Sequence, residues 1–296
     1  MPELLEKQGA GHQIMTKFDL DPKTERDTVW DDLLEKVRLI NTEQIIVNIA
    51  IVGKYTGLLD SYLSVIKALE HSAINCGRKL NLVWIESTRL EDPDSNAWEE
   101  LKSVDGILVP GGFGERGAQG KMDAIKYARE NKVPYLGVCL GMQLAIIEFC
   151  RNVLGIKDAD SEEFNQTCEN KVIIFMPEIS KITKGGTMRL GARHTIINSE
   201  ESLAFKIYNG NSSVYERHRH RYEFNIKYKS MIEEQGLIFT GEDSNKERME
   251  IVELLDHPFF IGTQYHPEFT SKPFSPNPVF FGFVKASAKL FEYNSD

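Results

Sequence analysis

Long apolar runs are missing from this sequence. No stretch comes near the roughly 18 residues that a membrane-crossing helix needs. The longest candidates, Gln44–Val52 and Lys171–Met176, have the length of buried strands. Met1 to Lys7 holds no uninterrupted apolar core of the signal-peptide kind. Cysteine is scarce: four in 296 residues (Cys76, Cys139, Cys150, Cys168), with no Cys-x-x-Cys pair. That excludes a disulfide framework, argues against a zinc site and points to the reducing cytosol. A basic excess is also missing, since 35 Lys and Arg stand against 44 Asp and Glu for a net charge of −9. A dedicated nucleic-acid binder shows first a basic patch to neutralise phosphates, so the balance argues against that class. What remains is a folded cytoplasmic protein with no membrane and no nucleic-acid partner, and 41% hydrophobic content suffices for its core.

The first 44 residues are charged and carry one helical pattern, Asp27–Ile40, in which Val29, Leu33, Leu34, Val37 and Ile40 are spaced for one face. They read as a linker and the tail of a preceding domain. From Ile45 the pattern alternates. Strand candidates Ile45–Val52, Leu80–Ile85, Gly106–Val109 and Pro134–Val138 are separated or followed by helical patterns over 60–76, 121–131 and 141–154. Short apolar strands between such helices predict βαβ crossovers and a mostly parallel sheet. Further on, Val172–Met176, His194–Ile197, Gly236–Thr240, Met249–Leu255 and Phe259–Tyr265 read as strands joined by short turns, closed by a helix over 280–291. The expected fold is therefore α/β: a mostly parallel central sheet flanked by helices, with an added antiparallel section, over 45–296.

The chemistry concentrates in three segments. In Gly137-Val138-Cys139-Leu140-Gly141 a strand ends, turns on one residue and becomes a helix, the pattern of a nucleophile elbow with Cys in place of Ser. Glycines suit a strained turn that other backbone passes closely. At a helix N-terminus the dipole and unpaired N–H groups favour thiolate over thiol, and the Leu140 N–H points at a developing oxyanion. Taken alone, the same pattern also fits a buried structural cysteine. Gln264-Tyr265-His266-Pro267-Glu268-Phe269 offers a base: in an extended segment His266 and Glu268 share a side, so Glu268 can accept from one imidazole nitrogen while the other faces a sulfur. Pro110 to Gly117 is a glycine-rich turn at a strand's carboxyl end, where open α/β sheets bind ligands, and Gly112 is the second oxyanion donor. Gly53-Lys54-Tyr55-Thr56 lacks the upstream glycine of a phosphate loop and is not read as an ATP site. Arg217-His218-Arg219-His220-Arg221 admits a basic patch, a metal site or an anion clamp on its own evidence.

Together these segments resemble the class I glutamine amidotransferases, with their flavodoxin-like sheet. Gly185-Gly186-Thr187-Met188-Arg189-Leu190-Gly191 and Glu216 to Tyr222 narrow the resemblance to the glutaminase domains of CTP synthases. The resemblance implies that Cys139 attacks the side-chain amide of L-glutamine, that His266 moves the proton, and that Glu268 orients the imidazole. It implies Gly112 and Leu140 as oxyanion donors and, with Gln143, Glu163 and Arg221, as the glutamine pocket. Glu163 answers the substrate's ammonium and Arg221 its carboxylate. It further implies that residues 1–44 are the linker and the tail of a preceding synthetase domain, where released ammonia meets UTP activated by ATP and Mg²⁺ in a full-length homotetramer. GTP would act as activator near Phe113 and Arg116. No metal and no cofactor is expected in this domain. A γ-glutamyl hydrolase shares the elbow but would be expected to carry a secretory signal; a degenerate glutaminase that only scaffolds its partner stays an alternative, against which intact Cys139, His266 and Glu268 argue.

Overall fold

The structure, a computed structural model, describes residues 2–21, 29–43, 45–54, 59–176 and 188–291. Of the sequence features named above, Met1, Asp27, Gln44, Tyr55, Thr56 and Gly185-Gly186-Thr187 lie outside them. The leading segment holds three helices, α1 (Pro2–Lys7), α2 (Ala10–Lys17) and α3 (Val29–Glu43), of which the sequence pattern indicated only the third. The alternating part follows as β1 (Ile46–Gly53), α4 (Leu63–Asn75), β2 (Lys79–Glu86), α5 (Ala97–Lys102), β3 (Gly106–Val109), α6 (Ala118–Glu130), β4 (Tyr135–Val138) and α7 (Leu140–Asn152). The second half contains β5 (Asp160–Ser161), β6 (Lys171–Phe175), β7 (Arg189–Ile197), α8 (Leu203–Ile207), β8 (Ser213–His220), β9 (Tyr222–Phe224), α9 (Lys229–Glu233), β10 (Leu237–Asp243), β11 (Met249–Leu254), β12 (Phe260–Thr263) and α10 (Pro278–Ser287).

Nine strands form one sheet in the order β2-β1-β3-β4-β12-β11-β10-β7-β8. The first five run parallel, and β11, β10, β7 and β8 extend the sheet antiparallel. This is the expected parallel sheet with an antiparallel addition; β5, β6 and β9 make a separate small sheet. Alternate residues of β1 feed opposite layers: Val47, Ile49 and Ile51 pack toward α4 and α10, Ala50 and Val52 toward α5, α6 and α7. Burial on both faces is why these strands read as continuous apolar runs rather than alternating ones. No helix among the described residues is long and apolar enough to cross a membrane.

His257 ties α6 to the start of β12. Its Nε2 donates to the Ala128 carbonyl at 3.1 Å, and its Nδ1 accepts the Phe259 N–H at 3.2 Å. Both nitrogens are committed to a neutral ring, and burial pushes its pKa down from 6.5 to about 4. As the pH falls below 6.5 the unfolded chain takes a proton that the folded chain accepts only near 4, so stability is lost across that window. The ring's share is ~3 kcal/mol. Between pH 7 and pH 4, His257→Gln is therefore expected to lose about 3 kcal/mol less stability than the wild type, measured by urea unfolding. Equal losses would mean that the folded protein protonates this ring freely.

Candidate active site

Strand register assembles the site. β3, β4 and β12 are parallel neighbours, with Val109 opposite Gly137 and Val138 opposite Thr263. Their carboxyl ends thus release Pro110–Gly112, Cys139 and Gln264–His266 along one edge, the edge at which open α/β sheets bind ligands. The Cys139 N–H donates to the Thr263 carbonyl at 2.6 Å and fixes the elbow to β12.

At the elbow Cys139 itself has φ 51° and ψ −98°, and α7 begins at the next residue. A non-glycine residue held there costs about 1–3 kcal/mol, strain that the surrounding structure must impose. The flanking glycines answer close approach instead of strain. A Cβ on Gly141 would lie 2.2 Å from the Val109 carbonyl oxygen, and one on Gly137 would lie 2.8 Å from the Gly141 carbonyl carbon. The first collision is with backbone that has nowhere to go, and the second is with backbone and with the buried Tyr135 hydroxyl, 2.6 Å from that Cβ position. Leu140 opens α7, and the first N–H groups of a helix have no acceptor inside it. Its side chain lies beneath Gly112, 3.4 Å from where a Cβ would stand.

His266 Nδ1 and Glu268 Oε1 are 2.7 Å apart, with both side chains largely buried. The His266 N–H donates to the Arg217 carbonyl at 2.7 Å, and its ring stacks on Phe269 at 5.4 Å. Burial works against a charged ring, but the Cys139 sulfur and the Glu268 carboxylate outweigh it and push the imidazole up to about 10. A Cβ on Gly111 would meet His266 Cε1 at 2.8 Å, so the loop after β3 can pass the ring only as glycine.

These three side chains border one cavity of about 520 Å³, together with Gly112, Gln143, Glu163 and Arg221. All three proposed binding side chains thus border the same cavity as Cys139, and Glu163 and Gln143 are hydrogen-bonded within the protein. Glu163 Oε1 accepts the Gly114 N–H at 2.8 Å. Burial raises the Glu163 carboxyl, against the opposing pull of Gly114 N–H, Lys54 and Arg221. Gln143 Nε2 donates to the Tyr222 carbonyl and to Gln264 Oε1, each at 3.0 Å. Phe113 also borders the cavity and is 78% exposed, whereas Arg116 lies outside it, 3.3 Å from the Lys54 carbonyl and 3.7 Å from Glu86.

Three residues at the site had no role in the sequence reading. Lys54 Nζ donates to the Phe113 and Gly114 carbonyls and so clamps the glycine-rich loop. Lys121 is buried with its Nζ 3.8 Å from the Cβ position of Gly112; burial, aided by Lys54, pushes it down to about 7. Gln264 points its Nε2 at Cys139 Sγ, 3.5 Å away. The Arg217–Arg221 stretch proves to be mostly β8, an edge strand. Its alternation turns His218 and His220 inward and Arg217 and Arg219 outward. The two rings bond each other, Nδ1 to Nε2 at 3.0 Å, and His220 Nδ1 donates to the Tyr222 carbonyl at 2.9 Å. Burial holds both neutral, pushing His218 down to about 2 and His220 to about 3.

Residues 57–286 match the family of class-I glutamine amidotransferases. Among similar curated proteins, a CTP synthase of Schizosaccharomyces pombe is 56% identical over 256 residues, 83% of this chain and 43% of that protein. CTP synthase 1 of Homo sapiens is 48% identical over 299 residues, 97% of this chain and 50% of that protein. The chain spans about half the length of the curated relatives it matches. Among solved structures, the glutaminase domain of Trypanosoma brucei CTPS with bound acivicin is 41% identical and superposes with a TM-score of 0.79, covering 83% of this chain and 96% of that one.

Proposed function

The chain belongs to the class-I glutamine amidotransferase family, and from that we propose that it is the glutamine-hydrolysing part of a CTP synthase. The observation that carries the chemistry is a single cavity in which a cysteine on a strained elbow meets a buried histidine–carboxylate pair 2.7 Å apart. The Cys139 thiolate attacks the side-chain amide carbon of glutamine, forming a C–S bond while the carbonyl oxygen becomes an oxyanion. Backbone N–H groups of Gly112 and Leu140 face that oxygen, in a site whose donors need no reorganisation as charge develops. His266, with Nδ1 held by Glu268, gives a proton from Nε2 to the departing nitrogen; the C–N bond breaks, and ammonia and a γ-glutamyl thioester result. His266 then takes a proton from water, the hydroxide attacks the thioester, and glutamate leaves as the thiolate re-forms.

Free glutamine also carries an ammonium and a carboxylate, which need separate answers. Glu163 meets the first, exchanging its bond from Gly114 N–H for one from the substrate, and Arg221 meets the second. Gln143 has both Nε2 hydrogens committed, which leaves its Oε1 to accept from a ligand. In the whole protein the ammonia passes to a synthetase domain that uses ATP, UTP and Mg²⁺, within a cytoplasmic homotetramer. Activation by GTP would fall to Phe113, an exposed ring suited to stacking on a base, and to the Arg116 cation.

The test is intact mass after incubation with a diazo-ketone analogue of glutamine. One adduct is expected on the wild type, blocked by excess glutamine and absent from Cys139→Ala. An adduct on Cys76, Cys150 or Cys168, or labelling indifferent to glutamine, would overturn the assignment.

A further inference from the structure

Gln264 sits two residues before His266 and is 2% exposed, with its Nε2 3.5 Å from Cys139 Sγ. Which end of a buried amide faces a sulfur is usually a matter of assignment. Here a backbone group decides it. The Tyr222 carbonyl can only accept, so the Gln143 atom 3.0 Å from it is the NH₂. That same NH₂ lies 3.0 Å from Gln264, so the Gln264 atom it meets is the oxygen. The remaining end of Gln264, the one turned to the sulfur, is therefore its NH₂. The backbone holds the side chain in place as well: the Gln264 N–H donates to the Glu250 carbonyl at 2.9 Å, and the Cys139 N–H donates to Thr263, the residue before it.

We infer that Gln264 is a further catalytic residue, an amide donor oriented by Gln143 that stabilises the Cys139 thiolate by a hydrogen bond. The inference rests on Cys139 being the nucleophile. An amide N–H gives a hydrogen bond but no proton at neutral pH, so its part differs from that of His266. It strengthens as the sulfur gains charge, since hydrogen bonds to an ionised partner are stronger than those between neutral groups. It weakens again once the sulfur is acylated and neutral. Donation to the charged form favours that form, and the bond thus favours the attacking state before glutamine arrives. Gln143 makes the device responsive to the pocket, because the side chain that orients Gln264 also borders the cavity.

The experiment compares wild type, Gln264→Met and Gln264→Glu by the rate of iodoacetamide alkylation at Cys139, followed by peptide mass across pH 6 to 10. Met keeps the length and removes the donor; Glu replaces the donor with a negative acceptor. A hydrogen bond to a charged group corresponds to about ten- to a hundredfold. Alkylation of Gln264→Met at pH 7 is thus expected to slow by about ten- to a hundredfold and to recover toward the wild-type rate at pH 10. Gln264→Glu is expected to slow it further. Wild-type rates at all pH values in a folded Gln264→Met would overturn the inference while leaving the nucleophile assignment intact. A wild-type Cys139 that alkylates no faster at pH 7 than Cys168 would overturn both. Should neither variant fold, the wild type itself decides by NMR. The Gln264 side-chain NH₂ resonances are expected to move when Cys139 is capped with a methylthio group, and unmoved resonances would reject the hydrogen bond.

Discussion

Cys139→Ala is expected to lower glutamine hydrolysis by at least about 10⁴-fold, because loss of a covalent nucleophile removes the route itself and leaves only binding and the oxyanion donors. The fold should survive the change. Cys139 is held at φ 51° by the Thr263 carbonyl and by the start of α7, and neither contact involves its sulfur. Alanine keeps the strain, whereas Cys139→Gly should relieve it and unfold at higher denaturant, by about 1 kcal/mol. Glutamine binding should also survive, since Glu163 and Arg221 are untouched, and glutamine should still raise the melting temperature of the alanine variant. Ammonia release by coupled assay, together with that thermal shift, checks both halves. In a full-length protein the same variant should retain CTP formation from added ammonia. A variant that still released ammonia at a tenth of the wild-type rate would end the thioester mechanism.

Much of this site is visible in the sequence because its parts are local. Gly137 to Gly141 encodes the elbow in five residues, and His266-Pro267-Glu268 encodes the proposed base and its partner in three, although a 3-10 turn over Pro267–Phe269, not the expected extended segment, brings the two side chains together. The structure adds that the elbow's strain sits on Cys139, while its glycines make room for the Val109 and Gly141 backbones. What stayed hidden depends on contacts between distant segments. Gln264 lies inside a motif that the sequence displays, yet its donor role follows from Gln143 and from a carbonyl on β9. Lys54 resembled part of a phosphate loop, and its bonds to the Phe113 and Gly114 carbonyls exist only once β1 and β3 pair. The strand β8 was missed for another reason: its charges look like a solvated face. The signal was present all the same, since Arg-His-Arg-His has the period of two that a strand requires, with histidines able to be buried neutral and arginines left outside.

Glu268→Gln should cost about 10² to 10⁴ in kcat with little loss of stability, and the reasoning runs through the proton inventory of His266. The carboxylate only accepts, so it holds the ring proton on Nδ1 and leaves Nε2 for the sulfur and the leaving nitrogen. Glutamine at 268 offers either its oxygen or its NH₂. With the oxygen turned in, the tautomer survives but the charge that favours imidazolium is lost. With the NH₂ turned in, Nδ1 becomes the acceptor, the ring proton moves to Nε2, and His266 can no longer take a proton there. The turn itself is held elsewhere: Glu216 accepts from Thr270 Oγ1, Tyr208 OH and Asn277 Nδ2 at 2.9, 2.9 and 2.7 Å, pinning Thr270, two residues past Glu268, to β8 and to the residue that caps α10. Burial pushes Glu216 up to about 7 despite those donors, and the nearby charge of Glu268 adds to the rise. Removing that charge should let Glu216 ionise at lower pH, which favours the folded variant as pH rises and keeps the scaffold intact. Steady-state ammonia release measured beside urea unfolding separates the two effects. An unchanged kcat would remove Glu268 from the mechanism, and a kcat loss matched by global unfolding would make its role one of support.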